Sequence, residues 1–582
     1  MGTNAELSAI FGRTAQLLEL LEANRFRVIA FQRGARTLEG MTDDVAALVD
    51  PDEPKKISPL TAIDGIGKGL AEKIVEFVTT GRIAEYEQLL EQLPDGLMAL
   101  LDIPGLGPKT IALMWHQADI ESLDDLKAKL GGDELANLPG LGKKTLDNLR
   151  KSIAFAESAG GRVHLATATA LARWFIEKLG PLRQVKQIEH AGSLRRGRET
   201  IGDIDLLIAA NPEDAGAISE AFIKLEPVTD VLVRGETKTS VRVEGRIQAD
   251  LRIIDPKQFG AALMYFTGSK EHNIRMRERA IKRDMRLNEY ALLQGEKVVA
   301  GATEQEVYQA LDLAWIPPEL REDRGEIALA ENNRLPTLLE LSDIKAELHA
   351  HTTASDGKWS IRELATACAE RGFHTVAVTD HSKGQAQANG LTNERLEKHI
   401  EDIRTVAGEM KDTIAILAGT EVDILADGSL DYPNSLLKQL DVVVASPHAA
   451  LSQDSRKATS RLIKAIANPY VTILGHPTGR LILRREGLSP DMTKIIAAAA
   501  DRGIAMEINA NTWRLDLRDT HACAAIAAGV KLSINTDAHG PGDLDHLRYG
   551  VLTARRAGAT ASEVVNCMAE SSLTAWLGST RH

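Results

Sequence analysis

The chain has only three cysteines in 582 residues, Cys368, Cys523 and Cys567, and their scatter excludes both a disulfide frame and a zinc knuckle. No apolar run is long enough to span a bilayer, and the N-terminus is not signal-like. The expectation is a soluble, cytoplasmic protein with free thiols and no membrane partner. Basic charge is not in excess either. The net charge is −13, and residues 341–582 hold 26 Lys and Arg against 29 Asp and Glu. Binding of a polyanion through bulk charge is thereby excluded, so any phosphate contact must come from a local basic surface.

At roughly 100 to 200 residues per domain the length predicts three to five units. Eleven of the 15 histidines follow residue 340, which marks two chemically different halves.

Three related turns punctuate the first 150 residues: GIGKG (65–69), IPGLGPK (103–109) and LPGLGKK (138–144). Each pairs two glycines around one apolar residue between helical segments: Gly65 and Gly67, Gly105 and Gly107, Gly140 and Gly142. Such a turn exposes backbone N–H groups at a helix N-terminus, where a DNA phosphate is held without sequence being read. The repeats resemble helix-hairpin-helix motifs. Lys73 follows the first by about two helical turns; a lysine there is either a solvated charge or, beside bound DNA, a Schiff-base nucleophile for an abasic-site aldehyde.

In GSLRRGRETIGDIDLLIA (192–209) two carboxylates interrupt an apolar strand. Strand alternation puts Asp203 and Asp205 on one face and buries Ile204, Leu206 and Ile208 on the other. In GRIQADLRII the same alternation leaves Asp250 on the polar face with Gln248 and Arg252. Three aspartates on adjacent strands form an oxygen site for two Mg²⁺ or Mn²⁺ ions, with Arg195 and Arg196 nearby for phosphates.

These segments, with RGETK, YFTGSKEHNIRMRERA and LNEY in order, resemble a family X DNA polymerase over residues 1–316. The resemblance implies that Asp203, Asp205 and Asp250 hold the catalytic metals, and that Ser193, Arg196 and Gly202 hold the triphosphate. Tyr265, Phe266 and Gly268 would line the sugar pocket, while Asn273 and Arg277 would meet the nascent base pair and template. Two departures stand out. Gln248 replaces an arginine of the eukaryotic members, and Phe31 and Gly69 stand where helpers of a lyase lysine would be polar or basic. On the helix after YFTGS, Arg275, Arg279, Lys282, Arg283 and Arg286 form a basic stripe, with Asn273 and Arg277 opposite among Met276, Ala280 and Ile281.

After residue 340 short apolar strands alternate with helices, and successive strands end in candidate ligands: His349 and His351, Asp380 and His381, Glu421, His448, His476, Asp537 and His539. Ligands gathered at the C-terminal ends of parallel strands are what a barrel active site requires. Imidazole mixed with carboxylate suits Mn²⁺, Zn²⁺ or Fe²⁺. The region resembles a polymerase and histidinol phosphatase (PHP) domain, a distorted seven-stranded (β/α) barrel with up to three ions. The resemblance gives the ligands as His349, His351, Asp356, His381, Glu421, His448, His476, Asp537 and His539.

The expected fold class is therefore multidomain, α+β and α/β. The expected domains are a lyase-like helical domain (1–85), a helical DNA-binding subdomain (86–158), a nucleotidyltransferase palm (159–256), a nascent-base-pair subdomain (257–316), a linker (317–342) and the PHP domain (343–582). The resemblance implies a monomeric gap-filling polymerase of base-excision repair, acting on gapped or nicked DNA with dNTPs. It also implies a metal-dependent 3′-5′ exonuclease, with AP endonuclease and 3′-phosphatase activities in some members. The rival reading is a 3′-end-processing phosphoesterase that uses the polymerase half as a DNA clamp.

Overall fold

The computed structural model describes residues 3–580 except 42–43, 51–55, 64, 95, 102, 104–105, 131–134, 136–137, 140, 143–144, 147–148, 151–152, 154–160 and 245. The chain divides into two units, Met1–Gly160 and Gly161–His582.

The first unit is helical, with α1 (Thr3–Leu20), α2 (Arg25–Gly40), α3 (Lys68–Thr80) and α4 (Pro108–Ala118) around a core that includes Phe11, Leu38, Ile74 and Ile111. Gly67 caps α3 and Gly107 caps α4, and no side chain bonds to the open N–H groups at either end. Ile66, between Gly65 and Gly67, is buried and anchors the turn. Gly65 has φ +92°, a conformation that disfavours any side chain. Lys68 and Lys109, just past the caps, are 78 and 85 % exposed. Gly142 accepts from the backbone N–H groups of Thr145 and Leu146, while Gly105 and Gly140 lie outside the described residues.

The second unit begins with helix α5 (Leu165–Leu179) against a five-stranded sheet of β1 (Gln187–His190), β2 (Asp203–Ala209), β3 (Val228–Arg234), β4 (Lys238–Val243) and β5 (Ile247–Ile254). Its order is β1-β2-β5-β4-β3; β2 and β5 run parallel, and the other pairs are antiparallel. Two helices follow, α6 (Phe259–Thr267) and α7 (Lys270–Ile281).

Residues 317–342, read above as a linker, are built into the body. Leu320, Ile327 and Leu335 pack on the cluster around Met264 and Met276. Arg321 is fully buried, paired with Glu304 at 2.7 Å and lying over the rings of Tyr308 and Trp315. The polar, Pro-containing sequence of the segment suggests a connection, but Arg321, Glu322 and Glu326 serve buried ion pairs.

The remainder is a seven-stranded parallel sheet in sequential order: β6 (Ala346–Ala350), β7 (Thr375–Val378), β8 (Ala415–Asp423), β9 (Val442–Ser446), β10 (Ile473–Leu474), β11 (Ala505–Asn509) and β12 (Leu532–Asn535). A bridge between Ala350 and Ala538 brings the last strand back to the first, so the barrel is nearly closed. Strands covered on both sides read as continuous apolar runs, as in Val442–Ser446, where every residue is buried. Helix α8 (Leu547–Arg556) lies near the end of the chain.

Candidate active sites

The palm site follows from the register of β2 and β5. Asp205 pairs directly with Asp250 and Asp203 with Gln248, so the polar faces of two parallel strands meet. Burial alternates as the sequence predicts: Ile204, Leu206, Ala249 and Leu251 are in the core. Gly192 closes the site from the preceding turn. Its φ is +64°, and a Cβ there would lie 2.4 Å from Asp205 Oδ2.

Burial pushes the Asp205 carboxyl up to about 7, with the charges of Asp203 and Asp250 adding to it. A carboxylate in this position gains from a cation. Burial acts on Asp250 in the same sense but is outweighed. Lys238 Nζ lies 2.7 Å away and Gln248 Nε2 donates at 2.8 Å, so Asp250 stays below the usual carboxylate range. Gln248 thus hydrogen-bonds the third carboxylate, and Lys238 carries the positive charge beside it. Lys238, the last residue of RGETK, is not marked by any motif; its only signal is alternation on the strand that pairs with β5.

Around this centre Ser193 follows Gly192, and Gly202 lies against Arg162, whose Nη1 would be 3.1 Å from a Cβ there. Tyr265 and Phe266 stand edge to face, and Arg252 stacks on Phe266 at 4.1 Å. Asn273 is buried and donates to the Tyr265 carbonyl at 2.7 Å.

Helix α7 departs from expectation in two ways. Arg277 is exposed, because the packed face is His272, Met276 and Ala280, and Ile281, counted with that face from sequence, is 69 % exposed. The basic stripe is not one open edge either. Arg279 donates to the carbonyls of Leu311 and Asp312 and pairs with Glu331, Arg275 pairs with Asp323, and Arg283 pairs with Asp312. The helix ends at Ile281, so Arg286 belongs to a short strand beyond it. These acidic partners are 29 to 52 residues away in sequence, beyond the reach of helical periodicity.

In the helical unit Lys73 is 20 % exposed and ion-paired with Glu85, which also pairs with Arg27 at 2.5 Å.

The barrel brings all nine expected ligands to the C-terminal ends of its strands. Three groups have ligand atoms that all lie within 4.8 Å of one another: His349, His351, Glu421 and Asp537; His351, Asp356, His381 and His539; and His381, Glu421 and His448. His476 Nε2 lies 2.8 Å from Glu421 Oε1; Glu421 belongs to the first and third groups, His351 links the first to the second, and His381 links the second to the third. The donors fit cations. His381 Nδ1 lies 2.9 Å from Glu421 Oε2, and His448 Nε2 and His349 Nε2 lie 3.2 and 3.4 Å from Glu421 Oε1, without hydrogen-bond geometry, so these buried nitrogens and oxygens converge as the ligands of a cation do. Burial would raise the Glu421 carboxyl, but His448, His349 and His381 hold it well below the usual range.

A second ring of carboxylates, missed in the sequence, orients the imidazoles. Glu507 lies 2.7 Å from His349 Nδ1 and accepts from the His476 backbone N–H, and Asp423 lies 2.5 Å from His448 Nδ1. Both belong to strands whose alternation points them at the ligands. Asp380, a candidate at its strand end, turns away instead. It accepts from Thr352 and Ser355 and meets His399 at 2.8 Å, bracing the loop after His351. Arg514 Nε lies 3.5 Å from Asp537 Oδ2, and its buried Nη1 has no partner.

The fold defines a class: a helical region with hairpin turns, a mixed α/β body with an aspartate-bearing sheet, and a nearly closed seven-stranded parallel barrel with a His/Asp/Glu cluster. Family models match in the same places: helix-hairpin-helix domain at 2–83, SAM-like helix-hairpin-helix tandem at 97–154, DNA polymerase beta thumb at 262–322 and PHP domain at 347–511. The chain is 36 % identical over 567 residues to the DNA polymerase/3′-5′ exonuclease PolX of Bacillus subtilis (strain 168), covering 97 % of each. The barrel half is 31 % identical over 231 residues to a probable phosphatase of Thermoanaerobacter sp. (strain X514), covering 38 % of this chain and 89 % of that protein. The chain belongs to the PolX family, the family X DNA polymerases that carry a PHP domain. Its partner is DNA and it uses divalent metal ions. Among the described residues no helix is long and apolar enough to cross a membrane.

Proposed function

We propose that this chain, a cytoplasmic monomer, fills short gaps in damaged DNA at the palm and removes nucleotides from 3′ ends at the barrel. The observation that carries this reading is the presence of two ligand sets in one folded unit, of which, among the described residues, only the barrel's brings three or more ligand atoms within 4.8 Å of one another. One is the aspartate face of β2 and β5; the other is the cage around Glu421.

At the palm, Asp203, Asp205 and Asp250 would hold two Mg²⁺ or Mn²⁺ ions, with Ser193, Arg196 and Gly202 on the triphosphate. Tyr265, Phe266 and Gly268 would exclude a ribose, Asn273 and Arg277 would meet the new base pair and template, and the exposed hairpin lysines would grip the backbone. At the barrel, the nine ligands would hold Mn²⁺, Zn²⁺ or Fe²⁺. When bound, these cations supply Lewis-acid charge, against the triphosphate in one centre and against the phosphoester and the attacking water in the other. Glu507 and Asp423 fix the tautomers of His349 and His448, and Arg514 offers its open guanidinium edge to the substrate phosphate.

The test is a gapped duplex with a labelled 3′ end, assayed with Mg²⁺ or Mn²⁺ and with or without dNTPs. Extension with dNTPs and stepwise shortening without them support the reading. Shortening alone under every metal would overturn the polymerase half of it. A 3′-phosphorylated or abasic duplex in the same assay shows whether the barrel also removes phosphate or cuts at abasic sites.

A further inference from the structure

The turn that carries Ser193 and Arg196 does not rest on the palm alone. Gly197 has φ +67°, and a Cβ there would come 2.5 Å from the Leu552 side chain on barrel helix α8. One turn along α8, Arg556 donates from Nη1 to the Arg196 carbonyl at 2.6 Å and to Glu322 Oε1 at 2.9 Å. Its Nη2 donates to Asp519 at 2.8 Å. Glu322 Oε1 also accepts from Arg196 Nε at 3.1 Å, and Arg196 Nη1 donates to the carbonyl of Thr267, where α6 ends.

The side chains of Arg556, Glu322 and Arg196 are 4, 9 and 13 % exposed. Asp519, Arg556, Glu322 and Arg196 therefore form a buried row of alternating charge, running from the barrel to the residue assigned above to the triphosphate. Held at Nε and Nη1, the planar guanidinium of Arg196 has its orientation fixed, and neither of these two partners uses Nη2.

We propose that Arg556, a residue of the barrel domain, is a positioning residue for nucleotide addition. Through Glu322 and the Arg196 carbonyl it fixes the guanidinium that receives the triphosphate, so the barrel domain forms part of the polymerase's nucleotide site. This rests on the reading of Arg196 as a triphosphate ligand.

The experiment is steady-state gap filling by the full chain, with 3′-end shortening by the same preparation as the check on folding. Arg556→Met raises the KM for dNTP about tenfold, the scale of one lost charge-assisted hydrogen bond, and leaves kcat and the shortening rate nearly unchanged. Arg556→Lys recovers part of the loss. Because the effect passes through Glu322, the double variant Arg556→Met with Glu322→Gln is no worse than Glu322→Gln alone. Gly197→Ala, which pushes the turn off Leu552 without touching a charge, also raises the KM.

An unchanged KM in Arg556→Met and Gly197→Ala, or single-variant factors that multiply in the double variant, overturns the proposal. Arg196→Ala separates the two layers. If it leaves the KM unchanged, the triphosphate reading has failed; if it raises the KM while Arg556→Met and Gly197→Ala do not, the role of the barrel has failed.

Discussion

Arg480 closes a two-pronged ion pair on Glu199, with Nη1 3.1 Å from Oε1 and Nη2 2.7 Å from Oε2. Arg480 lies four residues after the barrel ligand His476, and Glu199 four residues before the palm carboxylate Asp203. The pair therefore joins the loops next to both centres. Ile482, Leu515 and Tyr549 of the barrel side pack into the palm core around it, and His164 of the palm meets Trp513 edge to face, with ring centroids 4.0 Å apart.

The Arg480 side chain is 5 % exposed and that of Glu199 36 %, so the pair is shielded from solvent on the arginine side. Arg480→Ala should lower the unfolding free energy by about 1.5 to 3 kcal/mol, the range for hydrogen bonds to charged groups. Urea denaturation measures it. A loss no larger than the few tenths of a kcal/mol typical of surface pairs would show the contact to be screened.

Gly192 tests the close approach at the palm. Gly192→Ala places a methyl group against Asp205 Oδ2 and forces a positive φ on a residue that resists it. Extension should fall by about a hundredfold, as expected for displacement of a reacting group by about 1 Å. Shortening of 3′ ends should persist at its normal rate, and both are read from one gel.

Glu304 is clamped by Arg195 at 2.7 Å and by buried Arg321 at 2.7 Å. Burial alone would raise its carboxyl, but the two arginines bring it down to about 2. Because the folded value lies below the unfolded one, this contribution is complete above the ordinary carboxylate range and disappears as pH falls toward 2. Glu304→Gln leaves two arginines without their counter-charge and should cost about 3 kcal/mol near neutral pH. Melting curves of the two proteins should converge as the pH is lowered below about 4.5; a gap that stays constant would contradict the assignment.

Lys73 sits on Glu85, and an ammonium held by a carboxylate is a poor nucleophile. Borohydride trapping on abasic-site DNA should therefore increase in Glu85→Gln and vanish in Lys73→Ala. Equal trapping in Glu85→Gln and the unaltered protein would show that the pair does not restrain the lysine.

Most of what strand alternation and strand-end placement govern was legible in the sequence. Asp203, Asp205 and Asp250 share a face because the period of a strand is two, and parallel strands that all end on one side pick out eight of the nine expected barrel ligands, together with Asp380, which turns away; Asp356 comes only from the family resemblance. Partners brought together only by folding were not legible. Lys238, Glu507 and Asp423 lie on strands whose neighbours the sequence does not name. The stripe on α7 was misread because Asp312, Asp323 and Glu331 return from later in the chain. The segment 317–342 reads as a linker from its polar, Pro-containing sequence, because charge there marks buried pairs as readily as surface. Arg556 carried no signal, since its role exists only once the barrel is docked.

The central claim is that two separate centres act on one DNA end. The most direct measurement compares Asp250→Ala and His448→Ala on the same gapped duplex, with extension and 3′ shortening followed together. The account predicts that Asp250→Ala abolishes extension and leaves shortening intact, and that His448→Ala does the reverse. Extension that survives the first change, or shortening that survives the second, would contradict it.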